Sequence, residues 1–405
     1  MTTTSPTAAV EPAVSGIRRP QFGFVLAIVT QIAMMMGASA PSPFYPVLAA
    51  EIGFDAIVIS AVFAVYAVAL LLALLSAGSL SDHVGRRPVV IGGLLLLAAS
   101  MVLFWHADTV ATLVLARILQ GGASGVLIAA LSAAALDLAP GGRSRVAALW
   151  NALSPGIGLA LGALLAGIAL DLTGQPLLDV FAPLTLAYLV LATLFLLAPE
   201  TAPLRPGAWG SLRFRLSVPV AIRADFWRGA PAVIAGWATG GLFLSLGANI
   251  VRAELGGEAH VWQGLAVAML AGVGAITAFL LRTRSPRTSV VFGTAALATG
   301  TALSLVALSL ASLPFYLAAT AITGMGFGTA FSGVVASLAP RIPATDRADT
   351  FAVIYVLAYL AFGVPAVIAG MLVGLFGLGV VCVGYGIVVI ALAVIALVLR
   401  LRQPE

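Results

Sequence analysis

Charge is nearly absent from long stretches of this chain, and that absence constrains the fold more than any single motif. Apolar runs of the length that crosses a hydrocarbon core, about 20 residues, recur at roughly 22–48, 56–79, 88–105, 110–136, 145–170 and 180–198, then 230–250, 261–282, 288–310, 314–338, 350–373 and 378–399. Short polar breaks separate them, with no train of alternating ten-residue segments, so they predict spanning helices and not an outer-membrane barrel. With 61% hydrophobic and 9% charged residues and a mean hydropathy of +1.12, the chain has too little polar surface to cover a soluble globule. The expected fold is all-α and integral to the membrane, with twelve transmembrane helices in two groups of six. Residues 1–20, rich in Thr, Ala and Pro, read as a disordered cytoplasmic tail; a cleaved signal peptide would carry its apolar core nearer Met1. Residues 21–198 form the first six-helix bundle and 230–400 the second, with 401–405 a short tail. Between the bundles, 199–229 holds Arg205, Arg213, Arg215, Arg223 and Arg228 among several prolines and reads as a cytoplasmic linker with room for a short surface helix.

Topology follows from the arginines, which supply all the basic side chains because the sequence has no lysine. Placing the N-terminus in the cytoplasm puts every arginine except Arg117 and Arg252 on the cytoplasmic side. Glu51, Asp55, Asp108, Asp171, Asp179, Glu254 and Glu258 then fall in outer loops. This is the asymmetry of the positive-inside rule, and moving the count by one span destroys it. The formal charge of +5 therefore reports topology and not affinity for nucleic acid. A multi-pass protein of the cell (inner or plasma) membrane with both termini cytoplasmic is expected. Cys382, the one cysteine, has no intramolecular partner to oxidise with.

The stretch Gly78-Ser-Leu-Ser-Asp82-His-Val-Gly85-Arg86-Arg87-Pro88 interrupts two long apolar runs with charge, so it must lie where water or counter-ions solvate it. Gly78 and Gly85 permit a tight turn, and Pro88 suits the first turn of the following helix. The spacing G-x-L-x-D-x-x-G-R-R between the second and third spans resembles the loop motif of the major facilitator superfamily. Three further motifs resemble the same superfamily. Met36-Gly37, then five residues, then Pro43-Phe44-Tyr45-Pro46 is similar to a first-span pattern of its twelve-span drug efflux members. Arg117-Ile-Leu-Gln120-Gly121 is similar to its R-x-x-Q-G motif. Ser154-Pro155-Gly156-Ile157-Gly158, followed by Gly162 and Gly167, is similar in part to the glycine- and proline-rich motif of its antiporters, although Ser154 stands where the motif has glycine. The resemblance implies two six-helix bundles working by alternating access. It also implies a loop latch in which Asp137 pairs with Arg86, and efflux in exchange for protons. Pro43, Pro46, Pro155, Gly158 and Pro365 are the expected points of helix bending. A weak internal echo supports two repeats: Arg282, Arg284, Pro286 and Arg287 stand in the place of residues 78–88 but without the Asp, and Gly324, Gly326 and Gly328 answer Gly121, Gly122 and Gly125.

Polar and aromatic residues falling mid-span are the candidates to line a substrate cavity: Gln31, Tyr66, Arg117, Gln120, Asn151, Trp237, Asn249, Tyr355 and Tyr359. As a set they describe an apolar pocket with few hydrogen-bonding groups. Arg117 is the charge deepest in any span, and it is expected to face that cavity or a partner, since lipid would cost it about 2.5–3.5 kcal/mol. No Asp or Glu lies in the middle third of a span, so a neutral or anionic substrate fits better than a dication, and proton coupling comes from the resemblance alone. The expected function is export of small amphipathic compounds by a monomer in the lipid bilayer, with a small-molecule substrate and protons as partners. No cofactor, metal or nucleic acid is expected. Import of a metabolite such as an organic anion bound at Arg117 is the alternative. An intramembrane enzyme finds no H-E-x-x-H or G-x-S-x-G, and His83, His106 and His260 fall in loops or at span edges; no P-loop suggests ATP drive.

Overall fold

In hydrocarbon each backbone N–H and C=O must find a partner within its own segment, and the apolar runs accordingly fold as helices. The computed structural model describes residues 20–142, 144–206 and 216–402, and no strand occurs among them. The helices are α1 (Pro20–Ile52, interrupted), α2 (Ala56–Ala77), α3 (Arg86–Trp105), α4 (Val110–Asp137), α5 (Ser144–Leu172) and α6 (Pro176–Phe195). The second set is α7 (Val220–Ser245, continuing past a bend as Gly247–Glu254), α8 (His260–Leu280), α9 (Pro286–Ser309), α10 (Leu313–Arg341), α11 (Asp349–Phe376) and α12 (Leu378–Leu401). Polar residues close the apolar runs by capping. Asp55, Thr109 and Ser285 each accept a hydrogen bond from the backbone N–H three residues on, starting α2, α4 and α9.

Helix ends agree with the hydropathy reading except at α7. That helix begins at Val220, so ten residues assigned to the linker are helical. The reason is that hydropathy marks only the part of a helix inside the hydrocarbon, whereas Arg223, Asp225 and Arg228 extend α7 beyond it. Residues 1–19 of the expected N-terminal tail, 207–215 of the expected linker and 403–405 of the expected C-terminal tail lie outside the described residues.

The prolines of α5 and α11 lie within unbroken helices. α5 and α11 continue through Pro155 and Pro365 without interruption, and Gly158 serves close packing of α5 on α1, where a Cβ would meet Ile32 and Met35. Breaks occur elsewhere. α1 stops at Ser39 and resumes at Tyr45 after a 3-10 turn over Ser42–Phe44, with Pro43 and Pro46 in first-turn positions where a missing N–H costs nothing. α7 bends by 63° between Ser245 and Gly247.

The two halves repeat in detail. Tyr188 of α6 donates to the Ala33 carbonyl of α1 at 2.9 Å, and Tyr385 of α12 donates to the Ala238 carbonyl of α7 at 2.7 Å. Gly93 packs α3 on Leu127 of α4, and Gly293 packs α9 on Ala330 of α10. Between the halves, small residues bring backbones together. Gly156 and Gly167 of α5 meet α8, Gly264 of α8 meets Ala163, and Gly363 and Gly370 of α11 meet α2.

Candidate functional site

Four of the candidate cavity residues converge on one aromatic cluster between the halves. Trp237 of α7 packs on Tyr359 (ring centroids 4.9 Å), Phe331 (5.4 Å) and Phe362 (5.7 Å). Tyr355 lies 6.4 Å from Tyr359 on the same face of α11. Phe362 meets Phe63 of α2 at 4.8 Å, and Tyr66, one turn along α2, belongs to the same buried cluster as Tyr359 and Phe362. Trp237 and Tyr355 are half-buried. Among the described residues, neither the Trp237 indole N–H nor the Tyr355 and Tyr359 hydroxyls have a hydrogen-bond partner in the protein. The cluster thus offers a large apolar area with three unmatched polar groups, the arrangement that binds an amphipathic ligand. Phe63, Phe331 and Phe362 were not singled out from sequence, because a phenylalanine in an apolar run is indistinguishable from one facing lipid.

Arg117 and Gln120 stand behind this cluster and not in it. Arg117 is 1% exposed. Its guanidinium donates from Nε to the Tyr45 hydroxyl at 2.8 Å, from Nη1 to the Ala38 carbonyl at 3.3 Å and from Nη1 to Gln120 Oε1 at 2.5 Å. Gln120 passes the chain on, its Nε2 donating to the Gly37 carbonyl at 2.7 Å. That carbonyl lies four residues before Pro41, which has no N–H to give it, so Gln120 supplies the bond that the broken helix cannot. The Arg117 carbon Cζ also sits 5.3 Å from the Tyr66 ring and 5.2 Å from that of Phe104. Every named partner belongs to the first half. In this structure Arg117 and Gln120 join α4 to the break in α1, with Tyr66 between Arg117 and the aromatic cluster. Pro41, absent from the motif, is the residue that creates the need.

The other candidates lie apart. Gln31, 4% exposed, donates to Asn151 Oδ1 at 3.0 Å and Ser132 Oγ at 3.3 Å, and Asn151 donates to the Ser132 carbonyl at 3.2 Å. This is a small polar knot of α1, α4 and α5. Asn249 lies past the α7 bend at the acid-rich end, about 18 Å along the helix from Trp237 by rise per residue, and not in the cluster.

At the arginine-rich end, the loop before α3 gathers around Arg86. Arg86 pairs with Asp82, lies 3.4 Å from Asp137 through Nε, and donates to Ser81 Oγ at 2.7 Å. A residue not foreseen, Glu200, completes the arrangement. Its carboxylate accepts the backbone N–H groups of Arg86 (2.8 Å) and Arg87 (3.0 Å), capping α3 from the chain just after α6. Gly85 makes that approach possible: φ is +103°, and a Cβ there would run into the Glu200 carboxylate. Gly78 ends α2, where its N–H donates to the Leu74 carbonyl. Thr201 donates to Asp137 at 2.9 Å.

At the acid-rich end, two clasps join the halves. Ser42 Oγ donates to the Leu244 carbonyl at 2.7 Å, tying the break in α1 to the end of α7. Asp171, at the end of α5, accepts the His260 N–H, the His260 ring Nδ1 and the Val261 N–H, each at 2.8 Å, and so caps α8 across the interface.

Residues 27–301 match the family described as Major Facilitator Superfamily. The chain is 29% identical over 260 residues to the cephamycin export protein CmcT of Amycolatopsis lactamdurans, a match covering 64% of this chain and 48% of that protein. It is 43% identical over 61 residues to the inner membrane transport protein YajR of Escherichia coli (strain K12), covering 15% and 13%. The chain thus spans about half the length of the first of these relatives or less. In fold it is similar to the crystal structure of a bacterial homolog of the human lysosomal transporter Spinster in an inward-facing, unoccupied conformation. The TM-score is 0.71 at 12% identity, covering 95% of this chain and 98% of the other.

Proposed function

Because the chain belongs to the major facilitator superfamily and is a multi-pass membrane transporter, we propose that it exports small amphipathic compounds from the cytoplasm by alternating access, in exchange for protons. The observation that carries this reading is the aromatic cluster of Trp237, Tyr355, Tyr359 and Phe362 meeting Phe63 and Tyr66 between the halves. It contains no charge, so it favours uncharged or weakly charged ligands with one or two hydrogen-bonding groups. The arginine-rich end faces the cytoplasm of the cell membrane by the positive-inside rule. The clasps at Ser42 and Asp171 then hold the halves together on the outer side.

The loop around Arg86 serves as the switch. Its carboxylates, Asp82, Asp137 and Glu200, hold the loop against the ends of α4 and α6 in this state, and release of Arg86 from Asp137 accompanies the change to the other. Similarity to a cephamycin export protein supports the outward direction, and the partial proline–glycine motif of α5 supports exchange. Import of an organic anion at Arg117 is disfavoured, because that guanidinium is sealed and already bonded. Counterflow in proteoliposomes with a panel of antibiotics and organic acids tests the substrate class. Exchange of amphipathic antibiotics alone supports the reading, and exchange of organic acids alone replaces it with the importer.

A further inference from the structure

Three glutamines are buried among the described residues, and two of them bond within the protein. Gln31 donates to Ser132 and Asn151, and Gln120 joins Arg117 to the Gly37 carbonyl. Gln263 of α8 does not: it is 1% exposed, and neither its Oε1 nor its Nε2 has a hydrogen-bond partner in the protein. Its neighbours one turn away on either side fix its place. His260 is held by Asp171 of α5. Val267 is buried in one cluster with Ala38 of α1, Ala163 of α5 and Leu244 of α7, whose carbonyl takes the Ser42 bond. α8 also lies against the Ser42–Phe44 turn of α1 and against Gly247–Asn249 beyond the α7 bend. The unbonded amide thus sits between the two clasps, at the seam where the interrupted helices of opposite halves meet.

We propose that the Gln263 amide opposes the clasps and favours opening of the outer side. A primary amide presents two donors and one acceptor oxygen, and in a dry seam none of them recovers the hydration it has lost. That cost is incurred only while the halves are together. When they part, water reaches the seam and hydrates the amide, so the residue weights the parted state. A methionine in its place has nearly the same length and carries no such cost. The hydrogen bonds of the clasps act in the other direction. Opposed terms keep both states populated, which an alternating-access cycle requires. This inference rests on the alternating-access reading of the clasps.

The test uses the full-length protein with Cys382→Ser, spin-labelled at Gly174→Cys and Glu258→Cys on opposite halves, and compares distances by double electron–electron resonance. Asp171→Ala, which removes one clasp, serves as the reference because it enlarges the long-distance population. Adding Gln263→Met or Gln263→Leu should reduce that population by roughly fivefold or more and raise the thermal unfolding midpoint, since a buried cost is removed. Adding Gln263→Glu should enlarge it, because a carboxyl group costs more to bury than an amide. An unchanged or larger long-distance population in both apolar variants overturns the proposal, as does a lowered midpoint in both, since either means that the amide is already satisfied where it lies. Opposite shifts in the methionine and leucine variants also overturn it, in favour of side-chain shape. A long-distance population missing from Asp171→Ala itself overturns the reading of the clasps and this inference with it. One that is present there but insensitive to the residue at 263 overturns this inference alone.

Discussion

Replacing Asp171 by alanine should unlatch the outer side. The carboxylate accepts three hydrogen bonds across the interface, each 2.8 Å long, and two of them satisfy N–H groups of the first turn of α8 that have no intrahelical partner. Hydrogen bonds to a charged group contribute about 1.5–3 kcal/mol each when buried. Here the two side chains retain 21% and 25% exposure, and water can replace part of the loss, so about 1 kcal/mol each is the appropriate scale. The total of about 3 kcal/mol corresponds to a shift of roughly a hundredfold in the closed-to-open ratio of the outer gate. Closure is weakened and not lost, because the Ser42 clasp and the glycine contacts of α5 with α8 remain. Spin labels at Gly174→Cys and Glu258→Cys, both exposed loop positions on opposite halves, would report the separation by double electron–electron resonance in a Cys382→Ser background. A longer distance should appear or grow in Asp171→Ala but not in Asp179→Ala, which lies outside the clasp. An unchanged distance distribution in Asp171→Ala would refute the assignment of the clasp as a gate.

Arg117→Gln should lower stability by about 3 kcal/mol, since the Ala38 carbonyl and Tyr45 hydroxyl lose their donor in a dry site; a thermal unfolding midpoint equal to that of the unmodified protein contradicts this. Arg86→Ala and Asp137→Ala should be non-additive in transport rate, with a coupling of about 0.5–1 kcal/mol expected for an exposed pair; strict additivity removes the pair from the switch. Trp237→Ala should raise the substrate concentration for half-maximal transport at least tenfold while Trp237→Phe raises it less, as befits an aromatic anchor. Equal kinetics for all three proteins would move the substrate site elsewhere.

Much of the architecture was legible in the sequence because the bilayer imposes it. Span length and the position of Arg86 and Arg87 in the loop before α3 are local consequences of solvation and backbone bonding. What was not legible depended on distant partners. A charge at Arg117 announces that it needs acceptors, but only the fold shows that Pro41 on another helix had left one free at Gly37. Glu200 reads as one more polar residue after a span until α3 is placed beside it. The charged first turns of α7 carry no hydropathy signal because they stand outside the hydrocarbon. Within the site, the tyrosines and Trp237 were visible as polar interruptions of apolar runs, whereas Phe331 and Phe362 carried no such mark.

Gradient-driven transport through the aromatic cluster is the central claim, and one measurement bears on it most directly. Proteoliposomes with the arginine-rich side of the protein facing out and an acidic lumen should accumulate a fluorescent amphipathic substrate, lose it when the pH gradient is collapsed with an ionophore, and show little uptake with Trp237→Ala. Equal uptake with and without the gradient, or undiminished uptake by Trp237→Ala, would contradict proton-driven export through this site.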